Sequence, residues 1–354
     1  MPPDLLLTGA TGFIGQYIAR TLAAAGRPFA ALVRPGADIA PLEALAPWCS
    51  LREGDVTDPE SLVEALDDIP TVIHAAALVS YRTGDEEAML RVNAGGTANV
   101  VNMMLECGAR RLVYLSSVAA LDRVDGGPPA TLTDRWPQRP PTTAYARSKF
   151  AAEREAWRGQ AEGLSVAALY PAIVLGAGDW TGGNTPSLWR RAGAAPRGYP
   201  GGAAGFVDVR DVATAVLRVL DRDHDRERFL LSAENRSWRD LLAGIAESIG
   251  ERPPSRGVAP WLSGALWPLE SVRATLRGSV PRLTRDTHRT VQARYRYDGS
   301  AYPAATGHAY IPLAQTLQET GQAFRLSRQL GEGLPPTYLP LLDLPAGPSP
   351  SIPH

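Results

Sequence analysis

This chain of 354 residues carries 36 basic side chains, and the only lysine among them is Lys149; the rest are arginine. Where arginine replaces lysine wherever either will serve, the surviving lysine is a candidate for work arginine cannot do. It falls four residues after a tyrosine, in Tyr145-Ala-Arg-Ser-Lys149. Residues at i and i+4 share one face of a helix. A cation one turn from a phenol favours the phenolate. Tyr145 is therefore suited to general acid/base work, protonating a carbonyl oxygen as a hydride reaches the carbon. Lysine is a compact point charge with rotatable donors, able to bond ribose hydroxyls as well, and arginine's planar fork is not equivalent. Leu115-Ser116-Ser117 closes a strand-like run. Ser117 is placed to bond the same substrate oxygen, and Ser116 is the alternative, because alternation along a strand sends the two side chains different ways. Asn93 is an odd residue for a buried helix face. It either holds a water or a backbone carbonyl near the lysine or is a polar helix residue without a role.

A second constellation lies at the N-terminus, where residues 8–15 read Thr-Gly-Ala-Thr-Gly-Phe-Ile-Gly between a strand-like and a helix-like run. Gly9 permits a tight turn, Gly12 lets the backbone approach a pyrophosphate, and Gly15 allows close helix–sheet packing. The free N–H groups at the helix start then bind the phosphates. The end of the second strand reads Val33-Arg34-Pro35-Gly36, with no carboxylate before Asp38. An acidic residue there would bind a ribose 2′-hydroxyl, and Arg34 instead favours a 2′-phosphate, hence NADP over NAD. Asp55, after the third strand, either meets adenine or caps a helix.

These residues need a scaffold, and the first half supplies one. Short apolar runs at Leu5–Thr8, Phe29–Arg34, Leu51–Asp55, Val72–Ala76, Leu112–Ser116 and Val166–Tyr170 read as strands buried on both faces. Helical patterns at Ile14–Ala25, Glu60–Leu66, Glu86–Glu106 and Ala144–Trp157 alternate with them. Asp58 before Pro59 is an N-cap with proline at the first helical position. The alternation predicts an α/β fold, a Rossmann-type doubly wound parallel sheet, with a smaller, mixed C-terminal substrate lobe. The dinucleotide domain is expected over 1–175 with segments returning around 206–232, the substrate lobe mainly over 176–335, and a Pro-rich, surface-lying or disordered tail over 336–354. In the lobe, helices are expected over Pro186–Gly193, Asp211–Leu220 and Ser237–Ile249, and strands over Phe206–Val209 and Phe229–Ser232. An apolar stripe at Trp261–Leu276 lines a substrate pocket, touches a membrane surface or packs in the core.

The glycine loop, Asp55-Val56, His74-Ala75-Ala76, Asn93, Ser116-Ser117 and Tyr145-x-x-x-Lys149 together resemble the extended short-chain dehydrogenase/reductase superfamily (the NAD-dependent epimerase/dehydratase family) from residue 4 to about 325. The dihydroflavonol-reductase-like and 3β-hydroxysteroid-dehydrogenase-like members are the nearest in pattern, along with hopanoid-associated epimerase-like proteins. The resemblance implies Ser117, Tyr145 and Lys149 as a catalytic triad. It implies a dinucleotide set of Gly9, Thr11, Gly12, Phe13, Ile14, Gly15, Arg34, Asp55, Val56, Ala75, Ala76, Ala77, Tyr145 and Lys149. Tyr170, Pro171 and Ile173 are then expected beside the nicotinamide. Val207–Ala213 resembles the family's second-lobe signature. Two departures bear on substrate. Nucleotide-sugar epimerases of the family carry an Asn after the sixth strand and an Arg before the second-lobe signature, both for the diphosphate. Here Pro171–Gly176 has no Asn, the next being Asn184, and Gly201–Phe206 has no charge. Arg190, Arg191 and Arg197 remain as other sources of cation.

Composition narrows the rest. Net charge is −1, which offers no general field for nucleic acid. Two cysteines exclude a disulfide scaffold and suit a reducing, cytoplasmic setting. No run is long and apolar enough for a transmembrane helix, and the N-terminus lacks a signal-peptide pattern. The five histidines show no ligand spacing, so no metal is expected; His74 is expected to pack at a strand end. Hence the main expectation is an NADP-dependent oxidoreductase acting on a ketone, aldehyde or hydroxyl of a fairly apolar small molecule, with a homodimer as the candidate assembly. The alternatives are a nucleotide-sugar epimerase or dehydratase with tightly held NAD, and a non-catalytic NADP sensor, for which an intact Ser/Tyr/Lys set has no use.

Overall fold

A computed structural model of the chain describes residues 3–80, 84–133, 141–181, 185–194, 198–222, 227–258, 285–331 and 337–342. Its centre is a sheet of seven parallel strands. These are β1 (Leu5–Thr8), β2 (Phe29–Val33), β3 (Cys49–Glu53), β4 (Thr71–His74), β5 (Arg111–Leu115) and β6 (Ser165–Pro171), with β10 (Arg228–Leu231) returning from the second half. The order is β10-β6-β5-β4-β1-β2-β3. Six of the seven strands are nearly or fully buried along their length, as the apolar runs predict. The exception is β3, which starts two residues early at Cys49 and exposes Leu51. It is the sheet edge, paired with β2 alone, so only part of it is covered.

Helices α1 (Phe13–Ala24) and α8 (Val209–Leu220) pack together in the cluster on one face, beside the short α2 (Ala40–Glu43). On the other face lie α3 (Pro59–Ala65), α5 (Gly96–Glu106) and α6 (Ala144–Ala161). Asp58 accepts the Glu60 N–H and caps α3 with Pro59 at its start, as expected. The helix expected over Glu86–Glu106 is interrupted. It runs as α4 (Glu86–Met89), one wide turn with i→i+5 geometry over Leu90–Gly95, then α5. Such bulges gather at functional sites, and this one carries Asn93 on its buried side.

The lobe adds a second sheet of β7 (Ile173–Leu175), β9 (Ala203–Asp208) and β11 (Glu234–Ser237) in the order β11-β9-β7. A two-stranded pair, β8 (Gly198–Pro200) with β12 (Arg256–Val258), lies apart, and α7 (Ser187–Ala192) and α9 (Trp238–Ser248) complete the lobe. Ser237 caps α9 by accepting the Asp240 N–H. The strands β7 and β11 and the long helix Leu313–Leu330 had no expectation in the sequence reading. The Trp261–Leu276 stripe lies outside the described residues. Residues 337–342 do not lie loosely on the surface, since Leu339 is buried in the main core.

The strand order reverses direction between β1 and β4, so the chain leaves their carboxyl ends to opposite sides. That junction is where doubly wound sheets open a ligand crevice. It brings Thr8 opposite His74, and His74 opposite Tyr114.

Candidate active site

At the end of β1, Gly9 has φ 72° and Gly12 donates its N–H to the Gly9 carbonyl. A Cβ on Gly9 would lie 2.7 Å from the Ala76 nitrogen, so the turn touches the chain leaving β4 directly. A Cβ on Gly15 would lie 1.9 Å from the Gly9 carbonyl oxygen, which is why helix and turn can close so tightly. Gly12 is the exposed N-cap of α1 and supplies no side-chain cap. The first-turn N–H groups are thereby left to an anion. The cradle fits a dinucleotide pyrophosphate, with Thr11, Phe13 and Ile14 half-buried around it. Arg34 is exposed at the end of β2 and forms no ion pair among the described residues. Asp55 is half-buried, and Oδ1 accepts both the N–H and the hydroxyl of Thr57. It therefore braces its own loop and does not cap α3, which is the work of Asp58. Val56 is buried and its carbonyl accepts from Asn99.

Thr143 caps α6, accepting the Ala146 N–H, and so fixes the first turn that carries Tyr145. Tyr145 is half-buried and Lys149 is 3% exposed. The lysine Nζ donates to the Leu115 carbonyl at 2.8 Å and sits 4.8 Å from the centre of the Tyr114 ring. Burial pulls the lysine down to about 8, opposed by the Glu153 carboxylate. Thus α6 hands its cation to the end of β5, where Ser116 and Ser117 follow. The two serines diverge. Ser116 is buried, with its hydroxyl donating to Glu153 Oε2 at 3.0 Å. Ser117 is half-buried, and its Oγ accepts the Ala119 N–H, which stiffens the turn after β5.

Asn93 is buried and holds a backbone carbonyl. Its amide accepts the Leu78 N–H, donates to the Leu78 carbonyl, and donates to Ser148 Oγ. Ser148 donates in turn to the Tyr145 carbonyl. One side chain therefore ties the segment after β4 to the turn of α6 bearing Tyr145. His74 ends β4, as expected, between Thr8 at 2.8 Å and Thr97 at 3.1 Å. The Thr97 hydroxyl donates to the Asn93 carbonyl, so it accepts from His74 Nε2–H and leaves Nδ1 to accept from Thr8. Burial, with Lys149 nearby, pushes His74 down to about 3, and the ring is a neutral strut.

Ala75 and Ala76 are half-buried and Ala77 exposed along the same edge. Tyr170 and Pro171 are buried, and the Tyr170 phenol points at Glu153 at 2.8 Å; Ile173 is the half-buried residue of that segment. The second-lobe signature is internal. Arg210 pairs with Asp208 at 2.8 Å and Glu319 at 2.6 Å, and Asp211 holds His308 and the Ile311 N–H. It locks the helix Leu313–Leu330 to the lobe. Arg190 is exposed and donates to the Thr181 carbonyl, whereas Arg197 and Asn184 lie outside the described residues.

Sequence reasoning missed Glu153 and a clamp on the glycine loop. Gln16 donates to the Thr11 carbonyl and accepts from the Tyr338 phenol. Arg20 stacks on the Tyr338 ring and the Tyr17 hydroxyl accepts the Leu339 N–H. For Glu153 a signal existed, since it continues the Tyr145–Lys149 stripe by four residues. For Tyr338, more than 300 residues from Gln16, none did. Among the described residues, no group of three His, Cys, Asp or Glu is arranged to hold a metal, and no helix is long and apolar enough to cross a membrane.

A sequence model of the NAD dependent epimerase/dehydratase family matches residues 5–231. Among curated proteins, the chain is 30% identical to sterol demethylase protein B of Methylococcus capsulatus, over 89% of this chain and 98% of that one. It is also 30% identical to cinnamoyl-CoA reductase 1 of rice (Oryza sativa subsp. japonica), over 70% and 76%. Among solved structures, a nucleoside-diphosphate-sugar epimerase of Pseudomonas aeruginosa superposes with TM-score 0.74 at 25% identity, covering 92% of this chain and 99% of that one.

Proposed function

The chain belongs to the NAD dependent epimerase/dehydratase family, and on that premise we propose that it is an NADP-dependent reductase or dehydrogenase of a fairly apolar carbonyl or hydroxyl compound. The observation that carries the reading is the buried Lys149, held on the Leu115 carbonyl one helical turn from Tyr145, at the edge where the glycine cradle opens. When bound, the dinucleotide supplies or accepts the hydride. Tyr145 gives its phenolic proton to the substrate oxygen in reduction and takes it back in oxidation. Lys149 stabilises the phenolate left behind, and Ser117 bonds the same oxygen. The backbone N–H groups at the start of α1 hold the pyrophosphate, and Arg34 takes a 2′-phosphate.

Two features favour an apolar substrate over a sugar diphosphate. The strand β9, which runs into the signature, carries no cation, and Arg210 within the signature is consumed by Asp208 and Glu319. The name of the sterol relative points the same way. A second reading, a nucleotide-sugar epimerase with retained NAD, draws on the likeness to the Pseudomonas protein and on the exposed Arg190. A cytoplasmic setting suits the two unpaired cysteines, one buried and one exposed. The test is to titrate the purified protein with NADPH and NADH and to analyse its denatured supernatant for dinucleotide. Tighter NADPH binding with no retained NAD upholds the reductase. Retained NAD that does not exchange replaces it with the epimerase.

A further inference from the structure

One buried carboxylate joins three elements of the site and takes no part in the proton transfer. Glu153 is 5% exposed on α6 and stands one turn beyond Lys149 on the stripe that begins at Tyr145. Its Oε2 accepts the Ser116 hydroxyl at 3.0 Å from the end of β5. Its Oε1 accepts the Tyr170 phenol at 2.8 Å from β6 and the Trp157 indole N–H at 3.3 Å from its own helix. Ser116 sits between Leu115, whose carbonyl holds the lysine, and Ser117. An ionised carboxylate this deep costs several kcal/mol of desolvation. Three hydrogen-bond donors would be served by a neutral acceptor at less cost, so a carboxyl group here calls for a cation nearby, and Lys149 lies one turn away on the same helix.

We propose that Glu153 is a positioning residue: its carboxylate is the counter-charge that keeps Lys149 cationic, and through Ser116 it sets the strand end that presents Ser117. The inference rests on the reading of Lys149 as the partner of Tyr145. The groups facing the lysine are Tyr145 and Glu153 on α6, Tyr114 on β5 and His74 on β4. Burial holds Tyr114 protonated and His74 neutral, so neither balances the lysine's charge. Around Glu153 stand Lys149, Tyr114 and Tyr170, and Arg228 of β10 faces Tyr170. Burial raises Glu153, while its three donors and Lys149 pull it back. Glu153 and Lys149 thus each favour the other's ionised form.

The single lysine makes a direct test practical. The full-length protein, labelled with 13Cε-lysine, gives one lysine signal, and its pH titration reports Lys149 without any assay of turnover. A neighbouring opposite charge shifts a titration by roughly 1–3 pH units. Glu153→Gln is therefore expected to lower the lysine midpoint by about one pH unit or more, and Glu153→Asp to restore most of it. The alkaline limb of the kcat/KM profile should move down with the midpoint. An unchanged midpoint in Glu153→Gln overturns the proposal. A moved midpoint with an unmoved profile upholds the charge coupling and removes Lys149 from the reaction, which separates failure of the functional reading from failure of this one. If the Glu153→Gln chain does not fold, the wild type decides. Its lysine signal must carry a second inflection in the acid range as Glu153 takes up a proton, and a signal without one overturns the proposal.

Discussion

Lys149→Arg is the substitution the rest of the chain has already accepted wherever either residue serves, and the structure says why it fails here. The lysine is 3% exposed, with its Nζ seated between the Leu115 carbonyl and the face of Tyr114. A guanidinium is larger than an ammonium and carries five N–H donors in a plane. The slot offers one carbonyl at hydrogen-bonding distance. Forcing extra atoms into a packed interior costs about 1–3 kcal/mol. Each buried donor left without an acceptor adds about 1–3 kcal/mol. The variant should therefore lose roughly 2–6 kcal/mol, a large share of the ~5–15 kcal/mol that holds a typical domain. Urea unfolding measures this as a fall in midpoint at unchanged slope. Turnover should fall as well, by about 100-fold or more, since about 2.7 kcal/mol of lost transition-state stabilisation has that effect. Lys149→Met fits the slot and lacks the charge, so it should keep more of the stability than the arginine variant and still lose turnover. Wild-type stability and turnover in Lys149→Arg would refute the reasoning and make the lone lysine an accident of composition.

Tyr145→Phe keeps the ring and removes the proton; steady-state turnover should drop by roughly 10²–10⁴-fold with cofactor titration unchanged, and wild-type turnover would remove Tyr145 from the mechanism. Arg34→Ala should erase most of a preference for NADPH over NADH of about ten- to a hundredfold, measured by fluorescence titration; a preference that survives places the phosphate elsewhere. His74 is buried with its folded-state value lowered to about 3 from 6.5. Between those values the unfolded chain binds the extra proton, so stability falls as pH falls from 6.5 towards 3, by up to about 1.4 kcal/mol per pH unit. Urea midpoints of the wild type and His74→Gln across that range should converge at low pH; parallel curves would show that His74 carries none of the acid sensitivity. Tyr338→Ala removes the brace on Gln16 and should weaken dinucleotide binding several-fold in the same titration, while unchanged affinity would show that the loop holds its shape unaided.

The parts of this molecule that were legible in the sequence are those with a period or a fixed local geometry. Strands buried on both faces appear as apolar runs, and β1 was expected at the residues where it lies. Caps at Asp58 and Ser237 read directly because their chemistry is complete within three residues. The glycine turn and the Tyr145–Lys149 spacing read for the same reason. What escaped is relational. The break of Glu86–Glu106 at Leu90–Gly95 has no helical signature, because Gly95-Gly96 is tolerated in a helix and the wide turn is stabilised by what Asn93 finds across the groove. The edge position of β3 follows from the order of strands, which a local run of residues does not encode.

The same distinction explains the character of the site. Reactive groups lie on local motifs, whereas the groups that hold them in place come from several elements distant in sequence: Asn93 through Ser148, Glu153 through Ser116, Thr8 and Thr97 through His74, and Tyr338 through Gln16. Nearly all these links are buried hydrogen bonds between polar side chains, which are costly when half-made and rigid when complete. A proton donor and a cation on one helix do chemistry only if the strand ends beside them do not drift. In this chain that constraint is met by anchoring α6 to β4, β5 and β6 at separate points, through Leu78 just past β4, Leu115 at the end of β5, Ser116 just past it, and Tyr170 on β6. Loss of any one anchor should therefore show first in the geometry-dependent quantities, turnover and its pH profile, before it shows in whether the chain folds.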